Sequence, residues 1–93
     1  MITAIVLIHA VADSIPETAQ AIADIDGVSE VYSCAGDVDL IALVRVSSHE
    51  ELADIIPAKI GRVSGVIDTD THIAFRSYST ADTESAFALG AEE

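Results

Sequence analysis

The chain reads as an α+β sandwich, with two helices covering one face of a four-stranded antiparallel sheet. Three observations predict it: four extended, β-branched stretches; two stretches with apolar residues at helical spacing, each opened by a capping serine; and their alternation in the order β-α-β-β-α-β. With right-handed crossovers that order folds as a ferredoxin-like sandwich. The 93 residues allow one domain. A domain of this size buries only about 60 to 65% of its unfolded surface, so burial gained by association matters.

The first strand, residues 1–11, is almost continuously apolar and so reads as buried on both faces. Ser14-Ile15-Pro16-Glu17 opens the first helix: Ser14 is able to cap the free N–H groups, Glu17 to reach back, and Pro16 is harmless in the first turn. Ile15, Ala19, Ile22 and Ala23 mark its inner face, and Gly27 supplies the stop. Two strands follow, residues 28–35 and 40–46, joined through Gly36-Asp37-Val38-Asp39.

Ser48-His49-Glu50-Glu51 repeats the capping pattern for a second helix with Leu52, Ile55, Ile56 and Ile60 on its apolar face. Pro57 removes the bond to the Ala53 carbonyl and predicts a bend or a split near Ile56. Residues 66–78 are extended again, and residues 79–93 form an acidic, Ala-rich tail with a short helix expected over 81–89. The domain is therefore expected over residues 1–78. Because the first and third strands are apolar at nearly every position, both of their faces need cover, and two helices cover only one. A homodimer packed sheet to sheet, or edge to edge into a continuous barrel, is the expected remedy.

Composition excludes several classes. Sixteen acids stand against Arg45, Lys59, Arg62 and Arg76, a formal net charge of −12, and such a surface repels phosphate backbones and anionic lipid. The longest apolar run, residues 4–8, is too short to span a bilayer and has no basic region before it, so a cytoplasmic location is expected. Cys34 is the lone cysteine and reads as a small buried hydrophobe.

The one place where charge and a free turn meet is Gly36-Asp37-Val38-Asp39. Gly tolerates positive φ and Asp bonds its own backbone, so these residues serve a plain turn; two carboxylates beside unpaired N–H groups are also able to hold a zwitterion. Residues 31–40, Val-Tyr-Ser-Cys-Ala-Gly-Asp-Val-Asp-Leu, followed by a strand, a helix and Ser64-Gly65-Val66-Ile67-Asp68-Thr69-Asp70-Thr71, resemble the effector-binding domain of the Lrp/AsnC transcriptional regulators. The resemblance covers residues 2–78. It implies a ferredoxin-like domain that dimerises through its sheets, assembles further into tetramers or octamers, and binds an amino-acid effector near an interface between dimers. Carried over by position, Gly36, Asp37 and Asp39 match the hairpin that holds the effector's charged ends, and Thr69 and Thr71 match the polar positions opening the last strand. The two threonines are two apart, so a strand points them to one side, as it would ordinary β-branched residues.

Two departures from the family pattern stand out. The sequence opens on the first strand without a helix-turn-helix, so a stand-alone effector domain that works with itself or with full-length regulators is expected. Pro57 and Ser64-Gly65, where Pro-Gly is usual, touch helix shape and leave the hairpin unaffected.

Other chemistry is thin. Asp68, Asp70 and His72 share the strand face opposite the threonines, where a cation site is conceivable, but acids on an edge strand commonly prevent unwanted pairing. His9 is able to approach His72 across the sheet, but a lone strand histidine usually satisfies a local hydrogen bond. No catalytic residue, metal ligand set, phosphate loop or cofactor signature is evident. The leading expectation is a non-catalytic amino-acid-sensing and oligomerising module; the alternatives are a monooxygenase-like enzyme of the dimeric αβ-barrel kind, which would need His9 or His72 in a sheet-lined cavity, and an ACT-like amino-acid-binding domain. The charge balance yields a direct test: the 93-residue chain is expected not to retard duplex DNA at physiological salt, as read by gel mobility, and tight, salt-sensitive binding would refute the electrostatic argument.

Overall fold

Period-two alternation along the central strands sets the architecture. The computed structural model of the chain describes residues 1–80 and contains β1 (Ile2–Ala10), α1 (Ile15–Ala23), β2 (Val28–Ser33), β3 (Leu40–Val46), α2 (His49–Ile55) and β4 (Val66–Ile73). The strands form one antiparallel sheet in the order β2-β3-β1-β4, as the ferredoxin-like order requires. The helix expected over 81–89 lies outside the described residues.

On β1, Ala4, Val6, Ile8 and Ala10 are buried, and on β3 so are Leu40, Ala42, Val44 and Val46. They meet Ile22 of α1, Leu52 and Ile55 of α2, and Ile56 and Ile60 beyond it. Burial of each large aliphatic chain here contributes about 1.5 to 3 kcal/mol. The alternate residues Ile5, Leu7, Ile41 and Leu43 lie on the other face, partly exposed, and no second layer covers them within the described residues. Residues 1–80 of one chain thus leave the second face of its most apolar strands open.

Pro57 splits the second helical stretch, as its missing N–H demands. The α2 helix ends at Ile55, a turn follows, and Ile60–Arg62 form a separate 3₁₀ turn. All four apolar residues expected on that stretch are buried, although Ile56 and Ile60 lie beyond the helix. Ser48 caps α2, its Oγ accepting the Glu51 N–H at 3.3 Å, while the Glu51 carboxylate reaches back one residue further than expected, to the N–H and hydroxyl of Ser47.

The cap expected at Ser14 is absent. A 3₁₀ turn over Ala12–Ser14 runs straight into α1 and folds Ser14 back on Val11, leaving its Oγ 3.4 Å from the Thr18 hydroxyl. Thr18, which the periodicity did not mark, is fully buried, whereas Ala23 is exposed. The last strand ends at Ile73 rather than at residue 78, because β1 begins at Ile2 and offers only one further bond, from the Ala74 N–H to the Thr3 carbonyl.

Thr18 is buried because the chain closes on it at Gly65. The Val11 N–H donates to the Gly65 carbonyl at 2.8 Å and the Thr18 hydroxyl to the Ser64 carbonyl at 3.2 Å, joining the end of β1, the start of α1 and the entry to β4. Gly65 has φ +99°, and a Cβ there would collide with the Thr18 hydroxyl. A Gly65→Ala substitution is therefore expected to lower unfolding free energy by about 2 kcal/mol, measured by urea denaturation. An unchanged midpoint would show that this junction carries no constraint.

Candidate functional site

The segment joining β2 to β3 is wider than a Gly-Asp turn. The β2 strand stops at Ser33, not at residue 35, and the Cys34 N–H donates to the Asp39 carbonyl at 2.9 Å, closing a loop whose tip is residues 35–38. On its other side Asp39 is held by β1. The Asp39 N–H donates to the Ile8 carbonyl at 3.0 Å, and Asp39 Oδ2 accepts the Ala10 N–H at 2.9 Å. Asp39 thereby satisfies the backbone at the end of β1 with one carboxylate oxygen, and the other has no hydrogen bond among the described residues.

Gly36 has φ +131° with open space around it, so its role is the backbone conformation and not a close approach. Within the described residues, the N–H groups of residues 35–38 make no hydrogen bond, and the Asp37 carboxylate has no partner. Among the described residues the one hydrogen bond to the tip is made at the Asp37 carbonyl, which accepts from His9 Nε2 at 2.8 Å. The other ring nitrogen, Nδ1, lies 2.6 Å from Asp68 Oδ1 on β4. Hydrogen bonding to Asp68 first, then to the Asp37 carbonyl, together with the Asp68 charge, raises the His9 pKa above the ordinary histidine value of 6.5.

Asp68 is thus the residue that His9 meets across the sheet, and His72 is not. In the antiparallel register His9 stands opposite Asp68 and Ile5 opposite His72. The His72 ring instead lies 3.3 Å from Asp70, two residues back on the same exposed face. Asp68, Asp70 and His72 do share one face, yet no group of three or more potential ligands among the described residues is placed to hold a metal ion.

Thr69 and Thr71 stand opposite Ile8 and Val6, so both point to the helix side of the sheet, away from the His9–Asp68 pair. Gly36, Asp37 and Asp39 come together in one loop, and the two threonines come together on β4, but within one chain the sheet lies between the threonines and the His9 link. Two clefts, of 270 and 330 Å³, both include Arg45 in their walls and so lie toward the end of β3 remote from this loop.

The family profile described as the Lrp/AsnC ligand binding domain matches residues 3–84. The crystal structure of TTHA0845 from Thermus thermophilus superposes with a TM-score of 0.79 at 44% identity, over 85% of this chain and 99% of that one. Escherichia coli AsnC superposes with a TM-score of 0.78 over 85% of this chain and 54% of its own; at 20% identity this speaks for the fold alone. An HTH-type transcriptional regulator of Pyrococcus horikoshii is 42% identical over 59 residues, 63% of this chain and 39% of the regulator. The chain matches about two-fifths of the length of such regulators.

The geometry of Asp39 separates its structural bond from its charge. Asp39→Ala orphans the Ala10 N–H and is expected to cost about 1 to 3 kcal/mol of stability by urea denaturation, whereas Asp39→Asn, retaining an oxygen acceptor, costs less. Equal losses in both variants would mean that the bond to Ala10 is energetically idle.

Proposed function

The chain belongs to the Lrp/AsnC family, matching its ligand-binding domain, and from that premise we propose that it is a non-catalytic module that senses an amino acid and modulates transcription through self-assembly and partner regulators. The observation that carries the proposal is the loop over residues 34–39. It offers the Asp37 carboxylate and the free oxygen of Asp39 to an ammonium group, and the unbonded N–H groups of residues 35–38 to a carboxylate. Those are the two complementary sets that the ends of an α-amino acid need.

Thr69 and Thr71 face away from the His9 link on their own chain, so their hydroxyls would reach the ligand from a neighbouring subunit. The match to a ligand-binding family supports the reading, and so does a regulator of Neisseria meningitidis with the same fold, 12% identical at a TM-score of 0.74, solved as an L-Met complex. Kinship with transcriptional regulators favours sensing over catalysis. No helix among the described residues is long and apolar enough to cross a membrane.

Assembly follows from the open face of the sheet. Ile5, Leu7, Ile41 and Leu43 form a continuous apolar stripe across the two central strands, and a second copy laid sheet to sheet would cover it, with tetramers or octamers built from such dimers. Light scattering at micromolar concentration is expected to give at least a dimer mass, and a stable monomer would contradict the packing argument.

Binding is tested by thermal-shift screening of the common amino acids, followed by calorimetry on the one that stabilises the fold. Asp39→Asn removes charge while keeping an acceptor for Ala10, and is expected to weaken binding by roughly tenfold to a hundredfold, the equivalent of about 1.5 to 3 kcal/mol for a charge-assisted hydrogen bond. Unchanged affinity in a folded variant would reduce the motif to a turn.

A further inference from the structure

We propose that His9 is a positioning residue for the effector loop, clipping the tip to β4 when protonated and releasing it when neutral, so that effector affinity falls as pH rises. This deepens the amino-acid reading and rests on it for the effector, though not for the clip.

His9 Nε2 faces the Asp37 carbonyl at 2.8 Å, an atom that only accepts, and Nδ1 faces an Asp68 carboxylate oxygen at 2.6 Å. With Asp68 ionised, both bonds form together only if both ring nitrogens carry protons. The imidazolium therefore joins three elements: β1, which carries it, β4 through Asp68, and the loop through Asp37.

A neutral ring keeps one proton. The charge-assisted bond to Asp68 is the stronger of the two, so that proton remains on Nδ1. Nε2 then turns a lone pair toward the Asp37 carbonyl, and the contact becomes repulsive. No other hydrogen bond among the described residues holds the tip, whereas the loop base stays fixed by the bonds of Cys34 and Asp39.

The charged and titratable groups around the ring are Asp68 and Asp70 on β4 and Asp37 and Asp39 in the loop. All are acids, and no cation faces it from β3, whose nearest basic residue, Arg45, stands opposite Thr3 at the other end of β1. Every one of these charges favours the imidazolium. With a folded-state pKa raised above 6.5, the stability contributed by the clip is full below 6.5 and is lost as pH rises through the raised value. A tip held in place also loses less freedom on binding, so the clipped state binds the effector more tightly.

The test has two readouts on the full chain. In NMR titrations of the ligand-free protein, the amide signals of residues 35–38 are expected to shift with the same midpoint as the His9 ring protons. Asp68→Asn should lower that midpoint toward 6.5, and His9→Gln, which keeps a donor but cannot titrate, should flatten the loop profile. In calorimetry, affinity for the stabilising amino acid should fall about tenfold between about pH 5.5 and about pH 8 in wild type and stay level in His9→Gln. Loop amides indifferent to the His9 titration, or a wild-type pH profile retained by His9→Gln, would overturn the proposal. Loop amides that follow His9 while no amino acid binds at either pH would keep the clip and sink the effector reading instead.

Discussion

Pairing of β1 along both of its edges is the constraint from which the rest of the structure hangs. With β3 on one side and β4 on the other, every side chain of β1 is committed to a face by its parity, even numbers toward the helices and odd numbers toward the open side. A slip of one residue would bring His9 into the core and put Ile8 on the surface, so the register is strongly held. The far end of β1 then presents, within three residues, the Ile8 carbonyl and the Ala10 N–H that capture Asp39 and the His9 ring that captures Asp37. The loop is placed by the central strand more than by the two strands it connects.

The elements that local chemistry controls were legible in the sequence. Pro57 has no N–H to continue a helix, Ser48 has a hydroxyl at the right offset, and the apolar residues of β1 and β3 repeat without a break. Each needs only its own neighbours to act. The Ser14 cap failed for the complementary reason: a serine offers the same hydroxyl to a helix end or to a tertiary partner, and the 3₁₀ turn before it together with buried Thr18 decided the matter. Nothing in the local sequence distinguishes the two outcomes.

The candidate site was half legible. Gly36, Asp37 and Asp39 stood out because Gly and Asp adjoin between apolar runs, a contrast visible along the chain. His9 and Asp68 lie 59 residues apart and meet only through the antiparallel register of β1 with β4, including its irregularity between His9 and Ala10. That register depends on where β4 begins, which Gly65 sets by closing on Thr18. A shift of a few residues would have matched His9 with His72, as a reading of the strands without their register suggests. Likewise, the parity that turns Thr69 and Thr71 together is legible, but whether they turn toward the loop tip or away from it depends on which face the helices occupy.

Charge and burial divide the open face in a way that suits association. The centre of the stripe, Ile5, Leu7, Ile41 and Leu43, carries no charge, while Asp68, Asp70 and His72 run along one margin on β4 and Glu30 and Tyr32 along the other on β2. An apolar centre with a polar, solvated rim is the arrangement found in protein interfaces. With a formal charge of −12 on each copy, approach is opposed, but salt screens that repulsion over about 8 Å, whereas apolar contact acts where surfaces touch. The His9–Asp68 pair and the loop tip lie at the end of this stripe, so a proton on His9 bears on both the order of the tip and the charge at the margin. If assembly buries that margin, proton binding, effector binding and association are linked, and each alters the others by the same coupling free energy.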